Sequence, residues 1–325
     1  MGNGKGNLKR GLIRLGLWLV IFLFAFGLVG GAVMFIAATG KFPPRPDRQT
    51  DELIAANKIS APTAVLVMRY QNEIYKKSWP DGTSVDRQFS LGDLMEAWIA
   101  EAVMMLSDRG KVDLDAPLAD YFPGESGLDP AKSIASYLDH SASVGHEGVN
   151  PAVVRDTSHY KWLLRLIQKV TGTTPQGFLH SEVHEVLEMN STEYRVSGGK
   201  GTWVSTIEDL ATWTKTLNSN KLIHLKTYLR GHTPISLENG EKAPYGFGWR
   251  FEPWNGMRLE QANSFGEDAN FSITRLPQRN FFVIICSEMP PEDLDVAELG
   301  KQVARFYLER EFAAPFRRGG KGKAD

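Results

Sequence analysis

The hydrophobic pattern of this chain takes three forms, and each predicts a different element. From Leu15 to Gly40 no charged residue interrupts an apolar run. At about 1.5 Å of rise per residue, such a run crosses a hydrocarbon core of about 30 Å with some tilt. Thr63 to Arg69 and Glu73 to Lys77 read as two strands around a polar turn at Gln71-Asn72, and Phe271 to Leu276 with Asn280 to Ser287 repeat the hairpin pattern. A helical period comes next, from about Glu292 to Arg310, with Val296, Leu299, Val303 and Phe306 on one face and Pro290-Pro291 punctuating the start. Between these ends lies Phe89-Ser90-Leu91-Gly92-Asp93-Leu94-Met95-Glu96. It reads as a strand end, a tight turn, and a helix to about Arg109 whose buried face is Leu94, Trp98, Ala102 and Met105. A group at the start of such a helix meets unpaired N–H groups and the positive end of the macrodipole, which suit anionic intermediates.

Charge gives the first segment a direction. Residues 1–14 carry Lys5, Lys9, Arg10 and Arg14 and no acid, so they stay cytoplasmic, and the chain beyond the span is exported to the periplasm or the outside. Residues 15–40 read as an uncleaved anchor in the inner (cell) membrane, because a signal-peptide core is shorter and no small-x-small site precedes Lys41. Gly27 and Gly31 have the G-x-x-x-G spacing through which two anchors can pack as a homodimer, although small residues are common in membrane helices generally. Met1-Gly2 is not a myristoylation signal, since position 6 is Gly6. Residues 41–50 form a Pro-rich tether, 51–312 one folded domain, and 313–325 a flexible basic tail.

The hydrophobic share of 42% supports a sizeable core, and a net charge of −1 with interspersed signs leaves no nucleic-acid footprint. The single cysteine, Cys286, excludes an internal disulfide and sits in the apolar run Phe281 to Ile285 as a core thiol.

Gly110-Lys111-Val112-Asp113-Leu114-Asp115-Ala116-Pro117-Leu118 and then Tyr121-Phe122-Pro123 resemble the serine beta-lactamase and penicillin-binding-protein family, in particular its class C beta-lactamase, DD-peptidase and esterase branch. Further weak matches occur in the family's order. They are Leu138-Asp139-His140-Ser141-Ala142-Ser143, Val170-Thr171-Gly172, Leu187-Glu188-Met189 with Thr192 where the family has Leu-Gly-Met-x-x-Thr, Val204 to Ala211, and Tyr245-Gly246-Phe247-Gly248-Trp249 as a strand. The resemblance covers about residues 60–311 and implies an α/β (α+β) fold: an antiparallel sheet flanked by helices, with a helical subdomain, here preceded by one transmembrane helix. Several matches also have a local reading. Ser205 or Thr206 with Glu208 and Asp209 is an N-cap with first-turn acids, and Gly172 is a C-cap glycine.

The family's chemistry does not carry over. Its Ser-x-x-Lys, nucleophile and activating lysine, falls on Asp93 and Glu96. That pair reads instead as a variant capping box, Asp at the N-cap and Glu at N3, although a carboxylate can itself be a covalent nucleophile. The Tyr-x-Asn motif falls on Arg155-Asp156-Thr157, or one residue later, and Tyr160 matches a packing tyrosine. The His/Lys-x-Gly strand motif falls on Ser264-Phe265-Gly266, followed by Glu267 and Asp268, which would repel an anionic substrate. Ser90 is the fallback nucleophile, and it too has a capping reading with Asp93 at N3.

His180, His184 and Glu188 have a spacing that could ligate zinc, yet the metalloprotease Glu does not follow the first His, so no metal and no cofactor is expected. His140 reads as a hydrogen-bonding loop residue. The sequence thus predicts a membrane-anchored exported domain without acyl-transfer chemistry, a binding or scaffold module for a cell-wall peptide or protein partner. The competing reading is a divergent hydrolase using Ser90 or Asp93.

Overall fold

The computed structural model describes residues 45–92, 95–143, 157–217, 219–236, 242–266 and 269–312. The apolar run 15–40, the basic tails, Asp93, Leu94, Arg155 and Asp156 lie outside the described residues. Among the described residues no helix is long and apolar enough to cross a membrane.

The first described element is a helix, α1 (Pro46–Ala56), with proline at its start and Asp47 in its first turn. Residues 46–50 are therefore helical rather than extended tether: proline at N1 sacrifices an amide that has no intrahelical partner anyway. Strands β1 (Thr63–Arg69) and β2 (Asn72–Trp79) form the expected hairpin. Its turn is centred on Tyr70 and Gln71, with φ of 47° and 69°, one residue earlier than the polar pair suggested. Strand β3 (Phe89–Gly92) leads to α2 (Glu96–Asp108), followed by the short α3 (Ile134–Leu138), α4 (Thr157–Thr171) and α5 (Pro175–Leu179), which widens into a π-turn over His180–His184. The hairpin β4 (Glu193–Ser197) and β5 (Lys200–Ser205) pairs with β3 in a three-stranded sheet of order β3-β5-β4.

Helices α6 (Ile207–Thr216) and α7 (Leu225–Gly231) precede β6 (Tyr245–Gly246), β7 (Trp249–Trp254), β8 (Met257–Gly266), β9 (Ala269–Leu276) and β10 (Phe281–Ser287). With β1 and β2 these build an antiparallel sheet of order β2-β1-β10-β9-β8-β7-β6, so the chain's two ends meet at β1 and β10, where Thr63 faces Ser287 and Arg69 faces Phe281. Helix α8 (Val296–Phe312) closes the described chain.

Both faces of this sheet are buried, which explains why β10 reads as an unbroken apolar run rather than an alternation. Val65, Val67, Val283 and Ile285 face Leu299 and Val303 of α8, while Ala64, Leu66, Phe282, Ile284 and Cys286 face the helical half. Gly300 lets α8 approach closely: a Cβ there would lie 2.7 Å from Thr274 Oγ1 of β9. The helix starts at Val296, not near Glu292, because Asp295 caps it by accepting the amides of Ala297 and Glu298.

The helical half is centred on α2, buried from Glu96 to Leu106, with Trp98 ringed by His184, Trp203 and Trp213. The motif pair around Thr192 and Ser205 forms one latch. Thr206 caps α6 by accepting the Asp209 amide, and the Asp209 carboxylate accepts both the Ser191 amide and the Thr192 hydroxyl at 2.8 Å. Gly172, at φ 74°, ends α4 as its sequence position suggested.

Candidate functional site

The start of α2 is where the sequence placed its chemistry, and its local structure differs from the capping box. The N-cap is Met95, with no side-chain cap, and Glu96 is the first helical residue rather than N3. A capping box needs its acid three residues into the helix to reach back to the N-cap amide, and Glu96 stands two positions too early. Ser90 does not cap α2 either. It lies on β3, where its hydroxyl shares a 2.7 Å hydrogen bond with Thr202 Oγ1 of β5.

Glu96 instead faces inward, about nine-tenths buried, with one carboxylate oxygen 3.8 Å from His140 Nε2. That is an ion-pair distance, too long for a hydrogen bond. His140 is buried at the end of α3 with φ 63°, and its ring lies 5.3 Å from Tyr160 and 5.1 Å from Tyr245. Tyr160 is the packing residue expected: its hydroxyl donates to the Leu138 carbonyl at 2.6 Å.

The Tyr245 to Trp249 motif is not one strand but the turn between β6 and β7, set down on the first turn of α2. Gly248, at φ 75°, is required there, because a Cβ would sit 2.6 Å from Ala97 Cα. Beside this contact lies a cleft of about 80 Å³ lined by Glu96, Tyr245, Trp249, Arg250, Gln261 and Asn263. Arg250 is half-exposed and pairs with Glu252 at 3.0 Å.

The remaining predicted positions surround this place only in part. Ser264-Phe265-Gly266 end β8, paired with Ala269, Asn270 and Phe271, and Thr157 is the first residue of α4. His180 and His184 part company. His180 is exposed and pairs with Glu185 at 3.2 Å, whereas His184 is buried 4.6 Å from Trp98 and 5.0 Å from Trp203, so the zinc spacing does not become a ligand set. Burial, and to a lesser extent His180, pushes His184 down to about 3, so it is neutral at ordinary pH.

Two buried acids escaped the sequence reading. Glu101, inside α2, accepts a hydrogen bond from Trp213 Nε1, and burial raises it to about 7 against the opposing effects of Trp213 and Arg275. Glu260 of β8 is fully buried yet lies at about 2: burial pushes it up, but His232, Arg275 and Arg258 outweigh that. Arg258 reaches it at 2.7 Å, Arg275 at 3.5 Å and His232 Nδ1 at 2.9 Å. Burial lowers His232 while Glu260 opposes that shift, and Nδ1–H donates to the carboxylate. The only signal for this cluster was charge inside otherwise apolar strands, and its members come from α7's end, β8 and β9.

Residues 56–305 match the beta-lactamase family along most of the chain. The chain belongs to that family. Solved structures share its fold at low identity. The octameric penicillin-binding protein homologue from Pyrococcus abyssi is 15% identical, with a TM-score of 0.64 over 81% of this chain and 77% of its own. A class C beta-lactamase from Rhodobacter sphaeroides is 14% identical, with a TM-score of 0.63 over 82% and 99%. A beta-lactamase/D-alanine carboxypeptidase from Yersinia pestis gives 14% and 0.62 over 81% and 98%. The comparison with curated proteins gives no match. For this member of the beta-lactamase family the antiparallel sheet and its helices are the expected architecture, and the cleft at the start of α2 is its candidate site.

Proposed function

We propose that this protein is a membrane-anchored, exported member of the beta-lactamase family that has lost serine acyl transfer and uses the cleft at the start of α2 as a binding or scaffold module. The observation that carries this reading is Glu96: the place of the activating lysine holds a buried carboxyl beside His140. The Ser-x-x-Lys chemistry needs a hydroxyl to acylate one turn before its base, and the sequence offers Asp93 in place of that serine and Glu96 in place of the lysine. Ser90 is a poor substitute, since its hydroxyl is tied to another hydroxyl rather than to a base. The anchor at residues 15–40 and the export of the domain rest on charge and apolar length, and the cell-wall peptide or protein ligand on the family's habitat.

The test is labelling of the full chain in detergent with a fluorescent penicillin and with an activated-serine probe. No covalent adduct is expected from either reagent, while a stoichiometric adduct would overturn the loss of chemistry. Protease protection in inverted and right-side-out vesicles checks the orientation separately.

A further inference from the structure

The two ends of the large sheet carry opposite charge. One end is made of three turns: residues 69–72 between β1 and β2, 254–258 between β7 and β8, and 277–280 between β9 and β10. The pairing of Arg69 with Phe281, Phe281 with Leu276 and Glu260 with Arg275 sets the three side by side. Together they hold three arginines and no acid. Arg258 reaches back to the buried Glu260 at 2.7 Å, while Arg69 and Arg279 belong to the outer turns. At the opposite end the connection from β10 to α8, residues 288–295, holds Glu288, Glu292, Asp293 and Asp295 and no cation. Glu288 is paired with Arg87 at 2.7 Å, which leaves that end acidic.

The basic end also exposes apolar surface. Tyr70 is 56% exposed with the Arg69 guanidinium 5.1 Å from its ring centre, and Ile74 is exposed near the start of β2. The Tyr70 amide donates to the Asn280 carbonyl at 2.9 Å, so the first and third turns form one tip. The two ends of the domain's chain meet beside it. Tyr75 of β2 donates its hydroxyl to Asp51 of α1 at 2.7 Å, and its ring lies 6.5 Å from that of Tyr307 in α8. Tyr307 in turn lies 6.3 Å from Phe281, which follows the third turn. Helix α8 therefore runs from Gly300, against Thr274, towards this end, and beyond Phe312 the sequence supplies Arg317, Arg318, Lys321 and Lys323 against the single acid Asp325. On the other side, five residues separate residue 45 from the end of the apolar run at residue 40, a reach of at most about 18 Å.

We propose that this end of the large sheet rests on the anionic lipid surface of the membrane, with Tyr70 at the level of the headgroups and Arg69 and Arg279 on lipid phosphates. The inference rests on the anchor at residues 15–40, which fixes the distance of the domain from the bilayer but not its orientation. The opposed charge of the two ends fixes that orientation, because anionic headgroups attract the arginines and repel the acids of residues 288–295. Tyrosine suits the place, since its ring is apolar and its hydroxyl is wet. Arginine presents a planar set of donors to phosphate.

The experiment uses the full chain in lipid nanodiscs, with a bimane fluorophore on Gln278→Cys, exposed in the third turn, or on Pro290→Cys, exposed at the acidic end. Cys286 is fully buried and takes no label. Lipid carrying a nitroxide on its headgroup should quench the bimane at 278 and not at 290 in discs that contain phosphatidylglycerol. That quenching should be lost in purely zwitterionic discs, in salt of about 1 M, and in the double variant Arg69→Gln/Arg279→Gln. Tyr70→Ser, which leaves both arginines in place, should weaken it. A chain that does not stay with the discs fails the anchor and the contact together. A chain retained in the discs but unquenched at 278, or quenched equally at 278 and 290, overturns the contact and leaves the anchor standing. Quenching unchanged in both the double arginine variant and Tyr70→Ser overturns it as well.

Discussion

The two faces of the large sheet are built on opposite terms. On the α8 face the contacts are aliphatic and aromatic, and the amide groups that enter are tied into it: the Gln261 amide donates to Thr274 and to the Ala297 carbonyl, and the Asn270 amide to the Met289 and Leu294 carbonyls. On the α2 face the core holds His184 with neither ring nitrogen hydrogen-bonded, Glu101 with one oxygen unbonded, and the Glu260 cluster. The first face leaves Asn270 Oδ1 without a hydrogen bond, and the second leaves both nitrogens of His184, one oxygen of Glu101 and Nε2 of His232, so departures from the rule that buried polar groups find partners gather on the second. That is the half that also carries the cleft. The family's fold is maintained by the first face, while the second stores unfavourable burial of the kind that accompanies functional sites, present or former.

The largest test of this contrast removes Glu260. Glu260→Ala leaves Arg258 and Arg275 facing each other without their shared counterion, and should cost about 3–5 kcal/mol in chemical denaturation. By comparison, Ile285→Val on the α8 face removes one methylene and should cost about 0.5–1.5 kcal/mol. If the Glu260 variant costs no more than the Ile285 variant, the cluster is not a paired charge network and the comparison fails.

Glu101 should act in the opposite direction. Its folded pKa, about 7, lies above the usual carboxylate value of 4.5, so the folded chain holds a proton that the unfolded chain has lost. Stability therefore falls as pH rises from about 4.5 to 7, by about 3 kcal/mol in total. Glu101→Gln keeps the shape and an acceptor for Trp213 without the charge. It should be more stable than the parent at pH 8 by about 1–3 kcal/mol and nearly equal at pH 5. Equal stability at both pH values would mean that the buried carboxyl is solvated.

His184 has the reverse sign. Its folded pKa, about 3, lies below the usual 6.5, so the unfolded chain binds the extra proton and stability is lost as pH falls from about 6.5 towards 3. The contribution approaches about 1.4 kcal/mol per pH unit. In His184→Phe, which keeps the contacts with Trp98 and Trp203, the acid limb of a stability-against-pH curve should flatten by that slope. An unchanged limb would assign the acid sensitivity to the other groups with lowered values, Glu260 and His232 among them.

The difference between the faces also explains what the sequence disclosed. The α8 face was legible because hairpins and an amphipathic helix need only apolar residues at fixed periods, and Thr63–Arg69, Phe281–Ser287 and the stripe Val296, Leu299, Val303 supply them. The family resemblance of the middle segment survives because it describes scaffold, as the Thr192–Asp209 latch shows. The site was less legible. Asp93 and Glu96 have the spacing of a capping box, but Gly248 against Ala97 and the inward turn of Glu96 are tertiary facts that no local pattern encodes. The Glu260 cluster was invisible for the same reason, since its partners come from separate elements. Spacing also misled at His180 and His184, where burial among tryptophans took one ring inward and left the other in solvent.

The smallest expected effect concerns Glu188, which stands where the resembling pattern Leu-Gly-Met has glycine and holds a left-handed backbone. Glu188 is exposed and has φ 59°, with its amide bonded to the Glu185 carbonyl at 3.1 Å and its carbonyl accepting the Asn190 amide at 2.9 Å. A residue with a Cβ held in the left-handed region costs about 1–2 kcal/mol, and glycine relieves that cost. Glycine also gives the unfolded chain more freedom, which takes back about 0.4–1 kcal/mol. Relief wins narrowly, so Glu188→Gly should stabilise the protein by about 0.5 kcal/mol, whereas Glu188→Ala, which keeps the Cβ, should change little. Urea denaturation of the two variants side by side resolves the difference. If alanine stabilises as much as glycine, the strain lies in the glutamate side chain and not in its backbone.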